Sequence, residues 1–201
     1  MVAKLTFAIT VLIAINLSLI AKPAKQLTYK TKSGHSVSVN GKQIFYDGKI
    51  IFTFKYPDEI ELDYKKDYFI EDNGSVFLFL FAYGNPNLDR FNVYQIFPNK
   101  ALLVADSIAS PIKDYDGDGN LEFGGRDLTE MHPSRDSMYY IPTQYFEIAK
   151  GKILTDKSLI RKMDISINGR YLSKPLDKNG NCCIVVPITK QKRREEKPNR
   201  Q

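Results

Sequence analysis

The chain of 201 residues suits one domain with short appendages, and its 43% hydrophobic content, with 12 Tyr and 12 Phe, is enough for a sizeable core. A formal charge of +6 does not make it a nucleic-acid binder, because the charge sits at the ends. The tail at 190–201, KQKRREEKPNRQ, holds +4 and Lys4 another +1, which leaves +1 for residues 5–189. That tail reads as a disordered, solubilising terminus, with contact to acidic polymers or membrane headgroups as the alternative.

The first segment, MVAKLTFAITVLIAINLSLIAKPAKQ, places Lys4 ahead of an uncharged apolar run from Leu5 to Ala21. This is the layout of a secretory signal peptide over residues 1–21, cleaved after the small residue Ala21. The alternative is an uncleaved membrane anchor, but Thr6, Thr10, Asn16 and Ser18 dilute the run. No Cys follows it, so a lipoprotein anchor is excluded. The expected location is the periplasm or the exterior, with membrane contact only through this segment if it stays attached.

Residues 22–35 read as a polar lead-in and 36–189 as a single β domain. SVSVNGKQIFYDGKIIFTFKY gives three short strands separated by Asn40-Gly41 and Asp47-Gly48, both read as two-residue turns of positive φ. EIELDY alternates acidic and apolar residues, as a strand with one wet face does. After the turn Asn73-Gly74, Val76 to Tyr83 is apolar without a break, which predicts a central strand buried on both faces. RFNVYQIF and ALLVADSI follow as strands across Pro98-Asn99. SMYYIPTQYFEIAKGKIL reads as strands interrupted at Pro142 and Gly151, and TDKSLIRKM as a short helix capped by Thr155 or Asp156. DISINGRYL and NCCIVVPI are read as closing strands around Asn168-Gly169. Neighbouring strand residues face opposite ways, so Cys182 and Cys183 are expected to stay apart, a vicinal disulfide being the lesser alternative. With no internal repeat, the fold class is all-β: an antiparallel β-sandwich, or a meander or barrel, with at most one or two short helices.

One stretch stands out for chemistry. DYDGDGNLEFGG, residues 114–125, holds four acidic residues and four glycines. Asp114, Asp116 and Asp118 alternate, and Glu122 follows four positions later. In a tight loop this spacing turns the carboxylates toward one centre, with Gly119 at the bend and the Asn120 carbonyl as a further oxygen. Oxygen donors without His or Cys suit Ca²⁺ better than Zn²⁺ or a transition metal. Asp127 and Glu130 stand in reserve should Glu122 point away. The EF-hand pattern is not met, because its twelfth position here is Gly125.

The stretch resembles the Asp-x-Asp-Gly-Asp-Gly-x-x-Asp calcium loops of integrin-α-type FG-GAP and VCBS repeats. In that resemblance Asp114, Asp116 and Asp118 take the first three carboxylate positions and Glu122 replaces the last Asp. It covers a dozen residues once, so it implies calcium and a β-hairpin setting rather than a propeller. The overall layout is similar to periplasmic lysozyme inhibitors with sandwich folds, although no inhibitory motif is present to carry over.

Catalytic patterns are sparse. His35 sits in the polar KSGHSVSV, and His132 stands near Glu130, Arg135 and Asp136 in EMHPSRD, where a surface loop explains it more simply than a base does. No nucleophile elbow, phosphate loop or metalloprotease helix occurs. The leading expectation is a non-catalytic, calcium-stabilised module that binds a protein or polysaccharide of the cell envelope, in the manner of an enzyme inhibitor. The alternatives are a hydrolase of an envelope or extracellular polymer, with Ca²⁺ supporting its site, and an assembly protein using the cysteines and the tail.

Overall fold

The computed structural model describes residues 26–55, 62–63, 65–84, 88–126, 134–175 and 183–188. Thirteen strands and one helix lie among these. The first sheet is β1 (Leu27–Lys30), β2 (Ser36–Val39), β3 (Gln43–Tyr46) and β4 (Lys49–Thr53), in chain order. The second is likewise a meander: β5 (Tyr68–Asp72), β6 (Ser75–Ala82), β7 (Arg90–Phe97) and β8 (Lys100–Ile108). The third comprises β9 (Leu121–Gly125), β11 (Gln144–Ala149) and β12 (Lys152–Thr155), with β11 in the centre. A small fourth sheet joins β10 (Ser137–Tyr139) to β13 (Val185–Pro187), and α1 covers Lys157–Asn168. All pairings are antiparallel. Each sheet is open, so the all-β expectation holds and the barrel alternative falls among the described residues.

The second sheet is the middle of the molecule because its residues are apolar on both faces. On β6 and β7, Val76, Leu78, Leu80, Tyr94 and Ile96 pack with Val37, Val39 and Ile44 of the first sheet. The alternate residues Phe77, Phe79, Phe91 and Val93 pack with Phe123 and Ile148 of the third. The unbroken apolar run is thus a strand covered on both sides, as its lack of a polar face predicts. The third sheet is also tied by polar contacts. Gly151 N, in its β11–β12 turn, donates to Asp72 Oδ2 at 2.5 Å, and Gln95 Nε2 donates to Gly151 O at 3.3 Å.

Asp47-Gly48 and Asn73-Gly74 form the expected turns, with φ of 46° and 76°, and of 45° and 78°. Asn40-Gly41 departs from expectation. The Asn40 side chain instead accepts hydrogen bonds from Lys42 N and Gln43 N at 3.1 and 2.9 Å, a turn that needs no positive φ. The first sheet begins ahead of Ser36, since β1 lies within the stretch read as a lead-in.

The helix runs further than expected. Its N-cap is Asp156, whose Oδ1 accepts from Leu159 N at 2.9 Å, and it continues through residues 164–168, where the sequence predicts strand. The apparent alternation of Ile165 and Ile167 misleads, because the buried positions are Leu159, Asp164 and Asn168. Asn168-Gly169 is the helix end rather than a hairpin turn, with Gly169 left-handed at φ 73°. Cys183 is disulfide-bonded, against the expectation of separated thiols, while Cys182 lies outside the described residues. Strand alternation does not govern this site, because Cys183 precedes β13. The N-terminal apolar segment, most of EIELDY and the basic tail also lie outside the described residues. No described helix is long and apolar enough to cross a membrane.

Candidate metal centre

The acidic stretch forms a loop closed by a pair of backbone hydrogen bonds. Lys113 N donates to Glu122 O at 3.1 Å and Glu122 N to Lys113 O at 2.9 Å, so Glu122 closes the loop from within β9. On its other side β9 pairs with β11 in the register Glu122 to Glu147. The loop is therefore held by strand pairing at its base.

Within the loop, short side chains fold the backbone around themselves. Asp114 Oδ1 accepts from Gly117 N at 2.6 Å and its Oδ2 from Gly119 N at 3.0 Å. Asp116 Oδ1 accepts from Asp118 N at 3.3 Å, and Asp118 Oδ1 from Asn120 N at 2.8 Å. Gly119, at φ 92°, supplies the bend. These bonds gather the carboxylates: one ligand oxygen from each of Asp114, Asp116, Asp118 and Glu122 lies within 4.8 Å of the other three. Oxygens on opposite sides of a calcium ion, each bonded at about 2.4 Å, would stand about 4.8 Å apart. The cluster can hold a metal ion, and its donors are all oxygen.

Glu122 is the informative member. It is fully buried, while Asp114 and Asp118 are exposed and Asp116 lies between. Its Oε2 accepts from Tyr115 N at 2.6 Å, but Oε1 is buried with no hydrogen-bond partner. Nature rarely leaves such an atom unsatisfied, since desolvating a carboxylate oxygen without compensation is costly. Burial raises the Glu122 pKa above the ordinary range, against the lowering effect of the Tyr115 amide, and the charges of Asp116, Asp118 and Asp114 raise it further. Asp114 is shifted the other way, chiefly by the Gly117 N–H. Lys113, at the base of the loop, places its Nζ 4.7 Å from the Tyr115 ring centroid. Neither ion pair formed between described residues, His35–Asp47 and Arg90–Asp106, involves the four acids.

Asn120 is in place, but its side chain is committed elsewhere. Its Nδ2 donates to Asp118 Oδ2 at 3.1 Å and to Glu147 Oε1 at 2.6 Å. Glu147 is the residue that sequence reasoning missed. It lies 27 positions from Asn120, inside an ordinary strand pattern, and only the β9–β11 register brings it to the loop. Burial raises its pKa, Asn120 lowers it, and the charge of Asp118 raises it again. The reserve ligands Asp127 and Glu130 lie outside the described residues, as does His132. His35 is exposed and bonded through Nδ1 to Asp47 Oδ2 at 2.7 Å, so it serves a turn and not the acidic loop.

No family model, no curated protein and no solved structure matches this chain.

Proposed function

We propose that this protein is an exported module of the cell envelope that carries one structural Ca²⁺ ion and acts by binding rather than catalysis. The observation that carries the calcium reading is the buried, unpartnered Glu122 Oε1 beside three aspartates. The ligands would be Asp114, Asp116, Asp118 and Glu122, with the Asn120 carbonyl. A divalent cation would give Oε1 the partner it lacks and relieve the repulsion among four carboxylates. Magnesium fits less well, since bonds of about 2.1 Å would require the cluster to contract. Export rests on the Lys4 and Leu5–Ala21 pattern, and the partner is a protein or polysaccharide of the envelope, in the manner of an enzyme inhibitor.

Because the ion would sit where β9 leaves the loop, it would clamp folded structure and stabilise by linkage. Calcium at 100 times its dissociation constant should add about 2.7 kcal/mol, or about 5–10 °C in melting temperature for a domain of this size. Thermal melts with calcium, with magnesium and with chelator test the reading. Asp116→Ala and Asp118→Ala should each remove most of the calcium shift. A wild-type melt that calcium leaves unmoved, with no heat in a calorimetric titration, sinks the proposal.

A further inference from the structure

Register sets Glu147 of β11 opposite Glu122 of β9, and residues opposed across an antiparallel pair project to the same face. The acidic loop closes over that face: Tyr115 N reaches Glu122 and Asn120 Nδ2 reaches Glu147. Asn120 then grips Asp118 twice, through its backbone N to Oδ1 and through its side-chain amide to Oδ2. Asp118 is exposed, so burial does little to fix its carboxylate. Glu147 itself is not one of the four clustered acids.

We propose that Glu147 is a positioning residue of the metal centre, holding Asn120, and through it Asp118, in the arrangement that receives the ion. This rests on the calcium reading above. The chain of contacts runs from a strand in the centre of the third sheet to an exposed carboxylate of the loop. A ligand whose rotamer is set before the ion arrives loses less entropy on binding, which is why partners behind the ligands matter to metal affinity. The two residues also divide the labour across the strand pair. Glu122 supplies a ligand oxygen from β9, whereas Glu147 supplies a hydrogen-bond acceptor from β11, and both depend on the same register.

Calcium titration of the purified protein by calorimetry separates this role from a general structural one. Glu147→Ala should weaken calcium binding about tenfold, as removal of partners behind metal ligands does. Glu147→Gln, whose amide oxygen still accepts from Asn120, should return affinity to within about twofold of wild type. Asn120→Ala should weaken binding as Glu147→Ala does, and the double variant should be no weaker than either single one, because both cut one chain of contacts. A purely structural Glu147 would lower the calcium-free and calcium-loaded melting temperatures together and leave affinity unchanged, which overturns the proposal. Glu147→Gln as weak as Glu147→Ala also overturns it, since charge rather than positioning would then be at work. Wild-type protein that takes up no calcium overturns the calcium reading and this inference together; normal wild-type binding with an unaffected Glu147→Ala overturns this inference alone.

Discussion

Two buried carboxylates, Glu122 and Asp67, carry opposite lessons about charge. Glu122 lacks a partner for Oε1, so the ion-free fold is strained at this atom. Its raised folded pKa means that the unfolded chain releases this proton at lower pH than the folded one. The ion-free protein therefore loses stability as pH rises from the ordinary Glu range through the raised folded value. Glu122→Gln, which removes the charge but keeps an acceptor for Tyr115 N, should stabilise the calcium-free protein at pH 7 on the order of 1 kcal/mol. It should weaken calcium binding at the same time, and its stability advantage should shrink toward pH 4. Urea titrations across pH with chelator present measure this, and an equal or less stable variant at pH 7 contradicts it. Asp67 is satisfied, with Phe81 N and Asp63 N each donating at 2.7 Å, yet desolvation outweighs those bonds and raises its pKa to about 6. Stability associated with Asp67 is present in full below the ordinary Asp range and is lost as pH rises through about 6. Replacing it by Asn should flatten that part of the pH–stability curve, as denaturant unfolding at pH 4 to 7.5 would show. The acidic spacing of the loop was legible in sequence because the bonds among its own residues, from Asp114 to Asn120, are local. Burial of Glu122 and Asp67 was not, because burial is made by residues distant in the chain.

At the scale of elements, turn chemistry and strand composition carried most of the fold, and the failures share one cause. The hairpins at Asp47-Gly48 and Asn73-Gly74 are decided by their own residues, so the sequence announces them. Residues 164–168 are helical although two isoleucines at alternate positions imitate a strand. Tertiary contact decides instead: Asp164 is buried where Tyr140 OH donates at 2.5 Å and Thr143 N at 2.8 Å. Strand β9 is hidden in the sequence for a related reason. Its Leu-Glu-Phe-Gly-Gly sequence has little strand character, and it is held by β11 on one side and the Lys113 bridge on the other. Gly124 shows how tightly. Its φ is +132°, and a Cβ there would lie 2.0 Å from Gln144 O, so the β9–β11 pair closes only over a missing side chain. Gly124→Ala should therefore cost about 3 kcal/mol or more, through both the backbone angle and the clash. Gly48→Ala, with the same sign of φ but open space around it, should cost only about 1 kcal/mol. A comparison of chemical denaturation midpoints decides between them, and similar losses would mean that β9 can shift to admit the methyl group.

At the scale of the whole molecule, the layers give the two faces of the middle sheet different partners. Phe79 meets Phe123 of β9 at 5.0 Å between ring centroids and Phe91 at 5.7 Å, so an ion on the loop would act through β9 on one aromatic cluster. The other face is occupied by β2 and β3, whose Val37, Val39 and Ile44 pack on Leu78 and Leu80. Stability need not be uniform across such a stack, because layers can open locally below the cost of global unfolding. Calcium should therefore slow hydrogen exchange first in β9 and β11, where local opening would break the site. Amides of β1 to β4 that exchange by local opening should keep their rates, while those exposed only by global unfolding should slow by the full linkage factor of about 100 at 100 times the dissociation constant. Exchange measured with calcium and with chelator distinguishes the cases. Equal protection of every amide would mean that the layers open only as one unit, and protection confined to residues 114–122 would mean that the ion orders its loop without bracing the sheet beneath it.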